Sequence, residues 1–239
     1  MKKILILVSV FVSQFTFSQT ETSDKPSSYI SINGGYSKLM GDLIKTDYTD
    51  CLSGFSSSNG YSFGVEGVYS LTKYIGIGGS FSFSQYGSNG LDSLAIGYME
   101  DFEVEYVTLT QTGKYNFSTF LVGPYFQYPF GKFSIEGKLR AGLLAAKTPK
   151  YQVDIEDLTD ATFYQNSANS IAFASNFGLG LKYNVSEKLG VKLNADYTIS
   201  KPTFEVENVN RLNNAGRLIQ NYSPSISYLT LNLGVAYNF

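Results

Sequence analysis

The sequence predicts an all-β fold: an eight-stranded antiparallel transmembrane β-barrel, an up-and-down meander with long extracellular loops. Apolar and polar residues alternate over segments of about 10 to 15 residues, longer than most soluble strands and long enough to cross a bilayer at a tilt. Short and long connections alternate along the chain, as they do in such barrels. The composition, with 15% aromatic and only 16% charged residues, is β-rich and unlike that of an ordinary soluble domain.

The N-terminus has the pattern of a secretory signal peptide. Lys2 and Lys3 precede an apolar run over residues 4–12, and the small residues Thr16 and Ser18 offer a cleavage site. The run is too short to span a bilayer as a helix, so we interpret it as a secretion signal. The predicted organisation is a signal peptide over 1–18, a periplasmic lead-in over 19–28 and the barrel domain over 29–239.

The first three strands are predicted over residues 29–38, 60–71 and 75–84. The second shows the alternation most clearly, because Tyr61, Phe63 and Val65 stand on one face and small or polar residues on the other. The first strand is the weakest of the three. A period of two gives each strand one apolar face, which in a membrane barrel faces lipid.

The fourth strand is ambiguous, because residues 102–116 and 118–128 both have strand character. Counting both as crossing strands would make nine, which breaks the even number typical of bacterial barrels. We therefore predict one crossing strand, with Phe120, Val122, Phe126 and Tyr128 facing lipid. The preceding stretch, from about Val104, is predicted to extend that strand above the membrane and to pair there in an outer hairpin.

The last four strands are predicted from Lys132 to Leu143, over 171–185 and 189–200, and from Leu229 to Phe239. Short turns are predicted at 72–74, 129–131 and 186–188. The long polar connections 39–59, 147–170 and 201–224 then lie outside the cell, since such barrels have short periplasmic turns.

The composition also limits the chemistry. The chain has no His and one Cys, which removes Ser-His and Cys-His dyads, the commonest zinc ligand and any internal disulfide framework. The formal net charge of −2 argues against nucleic-acid binding, which needs concentrated Lys and Arg. We therefore expect no catalytic residues, no cofactor and no nucleic-acid partner.

The polar faces of the predicted strands carry charges of both signs, which would point into the lumen. An eight-stranded barrel is only wide enough to be filled by its side chains, so we expect these groups to interlock as a structural plug. The alternative is a narrow polar path for a solute. The predicted lumen charge cluster is Glu66, Glu136, Lys138, Arg140, Lys182, Lys192 and Asp196.

Two further features lie in predicted outer loops. The acidic segment 89–105 would place Asp101, Glu103 and Glu105 on one face if it were extended. Such a cluster could hold Ca²⁺ or Mg²⁺ or attract a basic partner, but a solvated rim is commoner and we predict no metal site. Cys51 is predicted to be an isolated thiol in the first outer loop.

The C-terminal segment from Leu231 to Phe239 resembles the terminal signal of outer-membrane barrels, in which alternating apolar residues end at a Phe. Another segment, from Tyr106 to Phe117 and followed by Leu-Val-Gly-Pro-Tyr at 121–125, is similar to a stretch that is common in those barrels. On these residues the chain resembles the small outer-membrane β-barrel proteins (porin-family, OmpX/OmpA-like or PorT-like). The usual Pro in the middle of that stretch is replaced here by Leu-Thr-Gln at 109–111.

The resemblance implies an outer-membrane location, contact with outer-membrane lipid and lipopolysaccharide, and recognition by the barrel-assembly machinery through Tyr237 and Phe239. We predict a monomer, since nothing in the sequence demands more. These families share a fold and differ in function, so the activity remains a hypothesis. The leading hypothesis is a non-enzymatic structural or surface-interaction component, with a protein partner at the extracellular loops or a place in an envelope or secretion assembly. The alternative is a narrow porin or a transporter for small solutes or hydrophobic molecules. Barrel enzymes such as the lipid A deacylases, palmitoyltransferases and omptin proteases need a His, which this chain lacks.

Overall fold

The computed structural model describes residues 28–46, 54–155, 162–210 and 216–239. The predicted signal peptide, almost all of the lead-in and Cys51 lie outside these ranges. The described part contains thirteen strands, one α-helix (α1, Leu91–Phe102) and a short 3₁₀ turn (Asp42–Ile44). The strands are β1 Tyr29–Gly41, β2 Ser56–Ser70, β3 Ile75–Ser88, β4 Val107–Thr112, β5 Tyr115–Phe130, β6 Phe133–Lys147, β7 Lys150–Ile155, β8 Thr162–Gln165, β9 Asn169–Asn184, β10 Leu189–Ser200, β11 Phe204–Asn210, β12 Gly216–Tyr222 and β13 Ile226–Asn238.

Eight of the described strands close into an antiparallel barrel in the order β1, β13, β10, β9, β6, β5, β3 and β2. Each pairs with the barrel strands that precede and follow it in the chain, and β1 pairs with β13 to close the circle. This confirms the predicted eight-stranded meander. We call the end with the short connections the turn end and the opposite end, which carries the long connections, the loop end.

The short turns lie close to the predicted ones, with one difference. The strands flanking residues 71–74 and 185–188 end where alternation ends. The predicted turn at 129–131 was wrong, because β5 continues through Pro129 and Phe130, which pair with Ser134 and Phe133. The turn consists of Gly131 and Lys132. Gly131 has a φ of 60°, a left-handed conformation that glycine adopts at little cost.

The five remaining described strands form a second sheet above the loop end, in the order β12, β11, β8, β7 and β4. We call it the loop-end sheet. Its β4 and β7 continue the pairing of β5 and β6, since Thr112 pairs with Lys150 just beyond Asn116 and Lys147. The prediction of one crossing fourth strand, extended above the membrane in an outer hairpin, is therefore confirmed.

The outer face of the barrel is apolar, as the alternation predicts. Ile32, Phe81 and Phe177 are between 49% and 71% exposed, an unusual exposure for large apolar side chains in a soluble protein. The intervening residues of the same strands, such as Ser31 and Asn176, are buried. An apolar exterior around a polar interior is the arrangement that a bilayer requires.

The interior has two layers. The turn half and the middle hold polar and charged side chains, whereas the loop half and the space under the loop-end sheet hold an apolar cluster. Phe117 lies in this cluster, with its ring 5.3 Å from that of Tyr86 and 6.0 Å from that of Tyr228. The buried hydroxyls of Tyr115 and Tyr151 lie 2.8 Å apart, and burial raises the pKa of Tyr151.

The first and last outer connections meet where the barrel closes. Asp42 accepts a hydrogen bond from the Ser225 amide at 2.8 Å and pairs with Lys45 at 2.7 Å. The pKa of Asp42 is lowered, most strongly by the hydrogen bond from Lys45 and next by the hydrogen bond from the Ser225 amide. The described residues contain no helix with the length and hydropathy to span a membrane.

Candidate functional site

The seven residues of the lumen charge cluster all lie inside the barrel, between 0% and 8% exposed. They come from four strands: β2 supplies one, β6 three, β9 one and β10 two. Each occupies an inward position, because its sequence neighbours carry the outward face. Buried charges are tolerated only when they are paired and hydrogen-bonded, so the partners decide what this cluster does.

Glu66 is the centre of the cluster. Its Oε1 lies 2.5 Å from the Lys192 ammonium, and its Oε2 lies 2.9 Å from that of Lys138. The Arg140 guanidinium approaches Oε2 at 3.4 Å, and the Tyr29 hydroxyl lies 2.9 Å from Oε1. The negative charge of one carboxylate is therefore shared among three buried cations.

The turn half of the cluster is organised around the Tyr29 phenol. Its hydroxyl lies 2.8 Å from Glu136 Oε2 and also contacts the Lys192 ammonium. Lys192 pairs with Glu136 at 2.9 Å, and the Lys182 ammonium lies 4.5 Å from the centre of the Tyr29 ring. Lys182 also donates to Asn238 Oδ1 at 3.3 Å. Tyr29 thus connects two acids and two lysines near the turn end.

The middle of the lumen is organised by Arg140. Its guanidinium pairs with Asp196 at 2.5 Å and donates two hydrogen bonds to Asn176 Oδ1, at 2.7 and 2.9 Å. It also donates to Ser80 Oγ at 2.9 Å and to the Tyr125 hydroxyl at 3.2 Å. Such a set of charge-assisted bonds fixes the planar guanidinium in one orientation.

A glycine lets two of these charges approach across an intervening strand. Gly178 of β9 is paired with Lys138 on one side and with Asp196 on the other. A Cβ atom at Gly178 would collide with the Asp196 carboxylate. Without it, the Lys138 ammonium and the Asp196 carboxylate lie 3.8 Å apart.

Sequence reasoning did not single out the uncharged partners Tyr29, Tyr125, Asn176 and Asn194 as site residues. All four are buried in the lumen, and Asn194 Oδ1 accepts from Lys138 at 2.8 Å. The alternation of inward and outward residues indicated that Tyr125 faces the lumen, since it stands next to the predicted lipid-facing Phe126. Hydrogen bonds between side chains of different strands depend on register, which one sequence does not specify.

A cavity of about 40 Å³ lies inside the barrel, between the charge cluster and the apolar cluster, with Glu66, Arg140 and Leu121 among its lining residues. That volume holds roughly three water molecules. Around this cavity, the described side chains of the lumen charge cluster compensate one another's charges.

The acidic segment departs from its predicted geometry. Asp101, Glu103 and Glu105 would share one face only if the segment were extended. It is not extended, because Asp101 belongs to helix α1 while Glu103 and Glu105 follow its end. Glu103 itself has a left-handed backbone, with a φ of 51°. Within the described ranges, no group of three or more His, Cys, Asp or Glu is arranged to hold a metal ion.

A sequence model for the outer membrane protein beta-barrel domain matches residues 4–239, which is nearly the whole chain. The chain belongs to this family. Outer-membrane barrels place short turns in the periplasm and long loops outside, so the turn end is periplasmic and the loop end extracellular. No curated protein sequence matches the chain significantly.

Solved structures of outer-membrane proteins are similar in fold. A major outer membrane protein from Thermus thermophilus has a TM-score of 0.51 at 11% identity, covering 90% of this chain and 100% of its own. Ail, the attachment invasion locus protein of Yersinia pestis, has a TM-score of 0.49 at 19% identity, covering 90% and 99%. The outer membrane protease OmpT from Escherichia coli has a TM-score of 0.48 at 10% identity, covering 93% and 100%. At these identities the likeness concerns the fold alone.

The loop-end sheet is the second candidate site of this outer-membrane barrel. Its strand β12 pairs with β11 on one side only, and no described strand lies on the other side. Residues 216–221 are all exposed, and Leu218 and Ile219 are 56% and 59% exposed. The edge therefore combines backbone groups that face no other described strand with apolar side chains outside the cell.

The predicted assembly residues lie at the opposite end. Tyr237 and Phe239 follow one another on the outer face at the end of β13, 46% and 69% exposed. The Phe239 amide donates to the Ser28 carbonyl at 2.9 Å, which holds the two chain segments together at the periplasmic rim. Both aromatic side chains are accessible from the lipid side.

Proposed function

We propose that this outer-membrane barrel is a non-enzymatic structural component that binds a protein partner through its loop-end sheet, as an OmpX-like or PorT-like barrel would. The observation that carries the proposal is the edge of β12, which faces no other described strand and projects above a barrel whose lumen holds a paired charge cluster. The barrel then serves as an anchor, and the interacting surface lies outside the membrane.

The chemistry of the edge supports a polypeptide partner. An exposed edge strand presents a row of backbone N–H and C=O groups that pair readily with another strand. Leu218 and Ile219 add an apolar side chain to each face of β12, which would give side-chain specificity to such pairing. Strand addition needs neither a pocket nor a catalytic group.

The same observations weigh against the two other functions. A narrow porin or a transporter needs a continuous path, whereas the lumen holds a paired charge cluster beneath an apolar cluster. An enzyme of the omptin or lipid A deacylase kind would need a His, and the chain has none. We therefore favour an interaction component over a pore or a catalyst.

The test is site-specific photo-crosslinking in intact cells, with a crosslinking amino acid in place of Ile219. We expect one discrete adduct with an envelope or surface protein, because β12 would lie alongside the partner strand. The matched control is Ile96 on α1, which is similarly exposed at 51% but lies outside any strand. No adduct from Ile219, or the same adducts from both positions, would contradict the proposal.

We also propose that Tyr237 and Phe239 form the signal that the barrel-assembly machinery reads. Phe239→Ala should lower the amount of folded barrel in the outer membrane severalfold, because the signal would lose its terminal aromatic ring. The measurement is the heat-modifiable fraction of the protein in outer-membrane preparations. Phe130→Ala, at another exposed aromatic of the periplasmic rim, is the control, and equal losses in both variants would argue against a signal.

A further inference from the structure

The outer face of the barrel carries a row of polar side chains at its extracellular edge. Strand pairing places Gln85, Asn116, Lys147 and Asn169 side by side across β3, β5, β6 and β9. Gln85 donates to Asn116 Oδ1 at 2.6 Å and accepts a hydrogen bond from the Tyr61 hydroxyl of β2. This polar row contains one cation, and the Lys147 side chain is exposed.

The next row toward the membrane centre has a gap in its middle. It consists of Phe83, Ser118, Ala145 and Ile171, so two small residues stand between two large apolar ones. A shallow concavity of about 510 Å³, open toward the outside of the barrel, lies over these rows. We call this concavity the rim notch.

The row below the rim notch shows where the notch lies in the membrane. Phe81, Phe120, Leu143 and Phe173 pair in register across the same four strands. Their exposed fractions are 49%, 58%, 53% and 64%, so this row contacts acyl chains. The rim notch therefore lies where hydrocarbon gives way to headgroups in the outer leaflet.

We propose that the rim notch binds an outer-leaflet lipid with a phosphate-bearing headgroup. Lys147 pairs with the phosphate, and the amides of Asn116 and Asn169 contact its oxygens or the linkage to the acyl chains. One acyl chain lies over Ser118 and Ala145, between the side chains of Phe83 and Ile171. A cation above a small-residue gap provides charge and shape for a single phospholipid in one orientation.

The position and the charge favour a lipid over a protein or a free anion. The rim notch opens sideways from the barrel wall, at a depth where lipid is the surrounding solvent. An ammonium at the membrane surface attracts anionic headgroups with a free energy that is modest but sufficient for selectivity. Free phosphate would gain the charge contact alone, without the contacts along Phe83 and Ile171.

The test uses the folded protein in neutral detergent micelles, titrated with dipalmitoyl phosphatidate and followed by native mass spectrometry. The comparison ligands are the diacylglycerol with the same chains and inorganic phosphate. We expect a first phosphatidate to bind at least tenfold more tightly than either, since only phosphatidate satisfies both parts of the rim notch. Equal retention of diacylglycerol and phosphatidate would overturn the proposal.

Two variants separate the two parts of the site. Lys147→Gln should weaken phosphatidate binding roughly fivefold and leave diacylglycerol unchanged, because it removes about one headgroup charge contact. Ala145→Phe should weaken phosphatidate binding by about tenfold, because it fills the gap with a ring. Both residues face outward, so the lumen should stay intact in each variant.

The controls place the same changes elsewhere. Lys188→Gln removes an exposed lysine at the periplasmic rim, and Ala141→Phe adds a ring on the same face of β6 nearer the membrane centre. Both should bind phosphatidate as the unmodified protein does. A loss in Lys188→Gln equal to that in Lys147→Gln would show attraction to overall charge and would overturn the proposed site.

Discussion

Replacing Glu66 with Gln should lower the free energy of unfolding by about 3–5 kcal/mol, since it removes one charge from a buried ion-pair network. The three cations that contact Glu66 would lose different shares of their charge compensation. Lys192 keeps Glu136 at 2.9 Å and Arg140 keeps Asp196 at 2.5 Å. Among the described residues, Lys138 keeps Asp196 at 3.8 Å, the amide oxygen of Asn194 and the Tyr125 ring, whose centre is 5.9 Å away. This weakly paired ammonium is the main source of the expected cost.

The measurement is urea unfolding in micelles followed by far-UV circular dichroism, because the chain has no Trp for fluorescence. Glu187→Gln is the control, since Glu187 is exposed in a periplasmic turn and its loss should cost less than about 0.5 kcal/mol. The double variant Glu66→Gln, Lys138→Gln should recover part of the stability. Equal unfolding midpoints for Glu66→Gln and Glu187→Gln would contradict the charge network.

Replacing Phe117 with Ala should destabilise the barrel by about 3–5 kcal/mol, because it removes a buried ring and leaves a cavity. Phe117 is 1% exposed and belongs to the apolar cluster at the loop end. Its ring contacts those of Tyr86 and Tyr228. These neighbours are held by the barrel strands, so they should close the cavity only in part.

The control for this variant is Phe120→Ala, three residues along the same strand and 58% exposed on the lipid face. Detergent or lipid fills the space that this change leaves, so the cavity contribution is absent and the cost should be roughly half. The same urea titration compares the two variants. A larger loss for Phe120→Ala than for Phe117→Ala would show that the apolar cluster is not a packed core.

The barrel could be predicted from sequence because each crossing strand repeats one simple pattern. Lipid requires an apolar outer face, and a narrow lumen accepts polar side chains, so alternation specifies which way each residue faces. The inward directions of Glu66 and Arg140 follow from alternation alone, and both side chains are buried in the structure. The fourth strand was resolved by a different rule, the even number of strands in bacterial barrels.

The outer part of the chain was harder to predict because water does not impose such a pattern. Helix α1 was missed, although Leu91, Leu94, Ala95 and Tyr98 have helical spacing. Its acidic residues were interpreted as part of a solvated rim instead. The loop-end sheet joins strands from three separate connections, and such long-range pairing depends on tertiary structure. Partners such as Tyr29 and Asn176 were missed because side-chain hydrogen bonds require a known register.

We propose that the lumen is closed and that function lies at the outer surface. Single-channel recording of the refolded protein in a planar bilayer, with Glu66 and Arg140 intact, distinguishes a closed lumen from an open one. We expect a folded barrel that stays electrically silent, because paired charges and an apolar cluster fill the path. Stable, ion-selective openings would show that the lumen is open and would favour a transport function.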